Sequence, residues 1–131
     1  MRIPQIIMAV GLVVLVVLLL SPQRHPLAYN TAAEVRIHGV VEEVQNFYCP
    51  VSGGEGTHLM VATENGTVQV HVGPTRFLSG QRWNFLKGDQ VEVIGSPIIY
   101  RGHEALIART IARGTEAVAL RKADGKPVWL E

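Results

Sequence analysis

The sequence predicts an all-β domain preceded by a transmembrane helix, and two patterns in the chain lead to this prediction. Positions 6 to 20 of the 131-residue chain are continuously apolar. From Glu34 onward, apolar and polar residues alternate in short runs that end at glycine-containing turns, as they do in half-buried strands. The predicted organisation is an anchor or uncleaved signal over 1–21, a tether over 22–33, and a β-barrel with a C-terminal hairpin over 34–131.

The N-terminal apolar run has the layout of a membrane anchor, since Arg2 precedes it and Pro22 follows it. A helix from Ile3 to Leu20 would rise about 27 Å, just under the roughly 30 Å hydrocarbon core of a bilayer. No small-x-small cleavage site follows at the usual distance, so we expect an uncleaved single-pass anchor, with a cleaved signal peptide as the alternative. The anchor residues would include Ile6, Val10, Leu15 and Leu20.

The strands are separated by recognisable turn signals. Asn65-Gly66 predicts a tight hairpin between strands two and three, and Asp124-Gly125 predicts one near the C-terminus. Aromatic and apolar residues between strands three and four indicate a short irregular helix. The predicted elements are strands at Val35–Phe47, Thr57–Glu64, Thr67–Val72, Gln90–Ile94 continued by Ile98–Tyr100, and His103–Ile111, a helix within Pro74–Leu86, and a hairpin of Ala117–Arg121 with Pro127–Leu130.

Three strands, a helix and two strands are the element order of the five-stranded Greek-key barrel known as the OB-fold. We therefore predict an OB-fold-like barrel with a short helix between strands three and four. A generic small β-barrel or sandwich with the same number of strands is the alternative. Trp129 is expected to cap the open end of the barrel.

The hairpin at Asn65-Gly66 predicts which side chains share a face. With these two as the turn residues, Glu64 pairs with Thr67, and Met60 pairs with His71. The outer face then carries His58 and His71 as diagonal neighbours, while the valines and leucines of both strands face the core.

Imidazole and thioether donors on one face could bind copper or iron, or serve a haem-related accessory role. Cys49 could add a thiolate, because it opens the loop before His58. The alternatives are a solvated polar face and a cysteine that acts as a small buried hydrophobe. The candidate metal ligands are His58, Met60, His71 and His38, and the candidate binding-face or loop residues are Arg36, Gln69, Phe47, Tyr48 and Cys49.

Several function classes are disfavoured. With Cys49 as the one cysteine, the chain has neither an intramolecular disulfide nor a Cys-x-x-Cys-His haem-attachment motif. No catalytic or phosphate-binding motif is present, so we expect a protein that is not an enzyme. From Glu34 onward the charges nearly balance, and strands two and three present no aromatic side chain, which argues against nucleic acid as a partner.

Five segments resemble a family of small exported bacterial OB-fold proteins that includes the magnetosome-associated protein MamS. They are Val70-His71-Val72-Gly73-Pro74 with Phe77-Leu78, Gly88 to Ser96, Glu104 to Arg109, Leu120-Arg121, and Asp124 to Trp129. The resemblance implies an OB-fold and a non-enzymatic, membrane-associated role, in the magnetosome case in iron-mineral assembly. It identifies no catalytic residues.

The predicted function is therefore a binding or scaffold module anchored in the bacterial inner membrane. Its amino terminus would lie in the cytoplasm, and its barrel would lie in the periplasm or an organelle lumen. Its partners would be the membrane and other membrane-associated proteins. A metal- or haem-related accessory protein is the alternative, and a nucleic-acid-binding OB protein is a third. The sequence leaves the oligomeric state open.

Overall fold

The computed structural model describes residues 27–130, whose six strands form one sheet that closes on itself. The strand order is β3-β2-β1-β4-β5-β6, all neighbours are antiparallel, and an additional parallel pairing of β3 with β5 closes the barrel. This confirms the all-β class, the barrel and the helix between strands three and four, but the sheet has six strands and not the predicted five. The elements are β1 (Val35–Cys49), β2 (Gly54–Thr63), β3 (Gly66–Pro74), α1 (Thr75–Gly80), β4 (Gln90–Tyr100), β5 (His103–Arg113) and β6 (Glu116–Ala119).

The barrel depends on the long strand β1, which serves two neighbours. Its first half, Val35 to Val40, pairs with β4, and its second half, Val40 to Cys49, pairs with β2. A bulge between Val41 and Glu43 bends the strand as it passes from one partner to the other. Because of this bend, a single strand joins both halves of the barrel.

The barrel encloses the main core, which is built from the inward-facing residues of every strand. Leu59 and Val61 of β2 lie with Val70 and Val72 of β3, all at 0–1% exposure, as the alternation predicts. A second, smaller core lies on the outside of β4 and β5. It contains Ile98, Tyr100, Ala105 and Ile107, with Tyr29 and Val51 packed against them.

Two of the predicted elements are short in the structure. The helix lies within the predicted range and ends at Gly80, because Arg82 takes a left-handed conformation with φ 55°. The predicted C-terminal hairpin is reduced to one bridge between Arg121 and Pro127, with the turn at Asp124-Gly125 closed by a hydrogen bond from the Gly125 N–H to the Lys122 carbonyl oxygen, while β6 pairs with β5. Trp129 lies in a short 3₁₀ turn, where it packs against the main core.

Part of the predicted tether contacts the barrel. Tyr29 donates a hydrogen bond to Glu34, and the Asn30 backbone N–H donates to the hydroxyl of Ser96. Glu34 in turn pairs with Arg109 of β5 through both carboxylate oxygens, and this contact holds the pKa of Glu34 below its usual range. The chain is therefore fixed to the barrel from Tyr29 onward.

None of the helices within residues 27–130 has the length and apolar character needed to cross a membrane. The predicted anchor, with Ile6, Val10, Leu15 and Leu20, lies outside the described residues.

The close approach of β1 to the end of β2 requires glycine at position 39. A Cβ atom there would lie 2.3 Å from the carbonyl oxygen of Ala62 and 2.6 Å from Cγ1 of Val61. We expect Gly39→Ala to lower the free energy of unfolding by more than about 2 kcal/mol, because backbone would have to move. Urea denaturation followed by circular dichroism measures this.

The matched control is Gly80→Ala at the end of α1, where no atom lies within 4 Å of the added Cβ. Its effect should stay within about 0.5 kcal/mol. Equal stability of the two variants would show that the close approach of β1 to β2 tolerates a side chain at position 39.

Candidate metal centre

The two histidines of the β2–β3 hairpin lie directly opposite each other. The turn residues are Glu64 and Asn65, so Thr63 pairs with Gly66 and His58 pairs with His71. The predicted register, with Met60 opposite His71, was therefore wrong by two residues. The Thr63 hydroxyl stabilises the observed turn, because it accepts from the Asn65 N–H and donates to the Gly66 carbonyl oxygen.

These histidines are buried, although they lie on the outer face of the hairpin. His58 is 1% exposed and His71 is 2% exposed, so the expectation of a solvent-facing surface was wrong at this end of the strands. His71 pairs with Ile107 of β5, which places it beside the second core. Phe47 and Cys49 of β1 and Tyr100 of β4 contact the two imidazoles and cover this part of the face.

Cys49 completes the cluster from the end of β1. Its Sγ lies 3.3 Å from Nδ1 of His71, and its side chain is fully buried. One donor atom from each of Cys49, His58 and His71 lies within 4.8 Å of the others, and within residues 27–130 no other group of three or more His, Cys, Asp or Glu has metal-binding geometry. Ligands of one tetrahedral or trigonal metal ion are separated by about 3.3–4.0 Å, given bonds of about 2.0–2.3 Å. The cluster is thus within small side-chain movements of a metal site.

The start of β2 fits closely on this cluster. A Cβ atom at Gly56 would lie 3.1 Å from Cβ of Cys49 and 3.4 Å from Cε1 of His58. A glycine at this position therefore allows the thiol and the imidazole to approach each other.

Aromatic rings flank both imidazoles. The Phe47 ring stacks on His58 with centroids 3.9 Å apart and planes 3° apart, and the Tyr100 ring contacts His71 edge-on at 4.5 Å. The His58 and His71 rings are themselves nearly perpendicular, with centroids 4.5 Å apart. This packing fixes the ring orientations and excludes water from most of the cluster.

Most of the polar atoms in the cluster make no hydrogen bond. Both ring nitrogens of His58, Nε2 of His71 and the hydroxyl of Tyr100 are buried without a partner. Each such atom costs about 1–3 kcal/mol relative to a satisfied one. Buried polar groups are normally paired, so three free imidazole nitrogens in one place indicate a ligand that they would bind.

Burial also keeps both imidazoles neutral. Desolvation lowers the pKa of His58 to about 4, against a weak opposing effect of the Gly56 backbone. Desolvation, and then the charge of His58, lower the pKa of His71 to about 4. At pH 7 each ring therefore has one nitrogen with the lone pair that a metal ion requires.

The other candidate residues lie apart from this cluster or at its edge. His38 is exposed, and its Nδ1 lies 3.5 Å from Oε2 of Glu92. The other carboxylate oxygen of Glu92 lies 3.1 Å from Nη1 of Arg36. Tyr48 is 69% exposed. Met60 and Gln69 are paired, half-buried residues that line an open groove together with Phe47 and Tyr100.

Sequence reasoning did not identify Tyr100 as part of the site, because its contact with His71 depends on the closure of β3 against β5. The alternation of β4 offered one signal, since Ile98 and Tyr100 share the face opposite the main core. Two apolar residues on an outward face indicate a second layer of packing.

The lowered histidine pKa values predict acid sensitivity of the folded barrel. Between about pH 6.5 and 4 the unfolded chain binds protons at His58 and His71, whereas the folded chain does not. The free energy of unfolding is therefore not reduced by these two groups above pH 6.5. It falls as the pH drops toward 4, by an amount on the order of a few kcal/mol. Urea midpoints at pH 7 and pH 4.5, with a chelator present, measure this loss.

Exchange of one histidine isolates the contribution of the cluster. His58→Gln should reduce the loss between pH 7 and pH 4.5, whereas His38→Ala should not, because His38 is exposed. An identical pH dependence in all three proteins would contradict the assignment to the buried pair.

Solved structures of other proteins are similar to this chain. The single-stranded DNA binding protein from Thermus aquaticus is 21% identical with a TM-score of 0.50, and the match covers 70% of this chain and 45% of that one. The S. pombe Stn1-ten1 complex matches at 17% identity and TM-score 0.48, covering 63% of this chain and 59% of that one. The match to a complex of TiaS with tRNA and ATP has 22% identity and TM-score 0.44, covering 61% of this chain and 18% of that one.

The chain thus spans less than two thirds of the length of each of these structures, and the Thermus aquaticus protein supports an OB-like fold alone. No curated protein matches the chain. The profile of one family matches residues 33–118, which include β1 to β5 and all three residues of the cluster. By this match, the chain belongs to the MamS/MamX magnetosome protein family.

Proposed function

We propose that this chain is a magnetosome-associated metal-binding protein, and that Cys49, His58 and His71 are the ligands. The observation that carries the proposal is the convergence of three buried donor atoms within 4.8 Å. A metal ion would bind one nitrogen of each imidazole and the thiolate together, and so reduce the cost of leaving buried nitrogens unpaired.

An access route to the cluster would start at a groove beside the aromatic rings that cover it. An open groove of about 460 Å³ is lined by Phe47, Met60 and Tyr100 among others. Phe47 and Tyr100 are the same rings that flank His58 and His71. Movement of either ring would connect the groove to the cluster, and the Met60 thioether at the groove is a soft donor that suits a metal in transit.

We further propose that residues 6–20 anchor the barrel in the membrane and leave it outside the cytoplasm. The support is the uninterrupted apolar run and the packing of Tyr29 on the barrel, which leaves only a short connection between the two. The barrel would then act close to the membrane surface.

A membrane-anchored scaffold is the second candidate function. The match to a magnetosome protein family is compatible with this function. A module that assembles other membrane-associated proteins would need no ligand in the barrel. The two functions differ in one measurable property, the binding of metal.

Metal analysis of the full chain, purified in detergent, tests the metal hypothesis. After incubation with copper, zinc, iron or cobalt and removal of excess metal, we expect about one ion per chain for at least one metal. Cys49→Ser should lose most of this binding, because a hydroxyl is a poor ligand for soft and borderline ions.

His38→Ala is the control, since it removes an exposed imidazole that lies outside the cluster. Circular dichroism establishes that each variant is folded. A folded wild-type chain that retains none of the four metals would leave the scaffold as the better hypothesis.

Membrane fractionation tests the anchor. We expect the full chain to remain with membranes after washing with high salt and alkaline carbonate, and a chain that starts at Leu27 to be released. Release of the full chain by the same washes would contradict an integral anchor.

A further inference from the structure

From the donor set and its surroundings we infer that the site binds monovalent copper, in a three-coordinate arrangement of one thiolate and two imidazoles. This inference rests on the proposed metal-binding function and specifies the ion. Three observations carry it: the number of donors, their chemical softness and the net charge that the buried site can tolerate.

The number of donors favours copper(I). Three donor atoms converge, and no carboxylate belongs to the group in residues 27–130. Structural zinc sites have four protein ligands, zinc sites with three protein ligands add a bound water, and iron in oxygen- or nitrogen-rich sites uses more ligands. Phe47 and Tyr100 occupy the space beside the two imidazoles, so the described side chains leave little room for several coordinated waters.

The softness of the donors points in the same direction. A thiolate selects copper(I) or zinc over harder ions, and imidazole is compatible with both. Ferric and ferrous ions held for delivery to a mineral are better matched by carboxylate and water oxygen, which this buried group does not provide.

The net charge discriminates copper(I) from the divalent ions. One thiolate and two neutral imidazoles carry a charge of −1, so a monovalent ion gives a neutral complex, whereas Zn²⁺ or Fe²⁺ leaves a net charge of +1. The three ligand residues are 0–2% exposed. An uncompensated charge at such depth costs several kcal/mol.

Binding requires no change of oxidation state. The S–H bond of Cys49 breaks, its proton leaves to solvent, and a copper–sulfur bond forms in its place. The two imidazoles bind through lone pairs and release no proton. One proton is therefore released for each copper(I) ion bound.

Competition with a copper(I)-specific chromophoric chelator tests the inference on the unmodified full chain in detergent, under anaerobic and reducing conditions. We expect one copper(I) ion per chain, and at least about a hundredfold preference over Zn²⁺ measured with a zinc indicator. Silver(I), a redox-inert monovalent ion, should displace copper(I), while excess Zn²⁺ should not.

Variants locate the ion. Cys49→Ser and His71→Asn should each weaken copper(I) binding at least about a hundredfold, whereas His38→Ala should change it less than about twofold. Because selectivity is measured on the wild-type chain, poor folding of one variant does not remove the test.

The outcomes separate the two proposals. Zinc or cobalt bound as tightly as copper(I), with loss in Cys49→Ser, would overturn the copper(I) assignment and leave the metal-binding function standing. Copper(I) binding that is unchanged in Cys49→Ser and His71→Asn would also overturn it. A folded chain that binds none of these ions would overturn both.

Discussion

The bend of β1 is the constraint on which the rest of this structure depends. The strand can serve β4 and β2 in turn only because Gly39 lets it pass within contact of the Ala62 carbonyl oxygen. The bend joins both halves of the barrel, and it also carries the far end of β1 along the hairpin of β2 and β3. Cys49 lies at that end, so the same geometry that builds the fold delivers the thiol to His71.

The outer face of the hairpin contradicts the usual rule for polar residues. Imidazole side chains on a strand normally reach solvent, yet the second core and the Phe47 ring cover His58 and His71 without giving most of their nitrogens a partner. Local rules are most often violated at functional sites. The unpaired nitrogens reduce the stability of the metal-free barrel, and a bound ion would offset part of this loss by taking one nitrogen of each ring. Folding and metal binding would therefore be coupled.

The sequence predicted the fold better than the site, for physical reasons. Alternation and turn residues are local, so they located the strands and the helix between β3 and β4. The hairpin register depended on a hydrogen bond from the Thr63 side chain, which a turn dipeptide does not reveal. His58 and His71 were predicted to be neighbours because both lie on the outer face of the hairpin of β2 and β3. Their burial and the contact with Tyr100 arise from the β3–β5 closure, which no local pattern encodes.

The second core connects the candidate centre to the route by which the chain enters the barrel. Tyr29 packs against the cluster that contains Tyr100, and Tyr100 contacts His71. Tyr29 is also fixed by Glu34, which Arg109 of β5 holds in place. The segment leading from the proposed anchor and the flank of the metal centre thus share one packed layer.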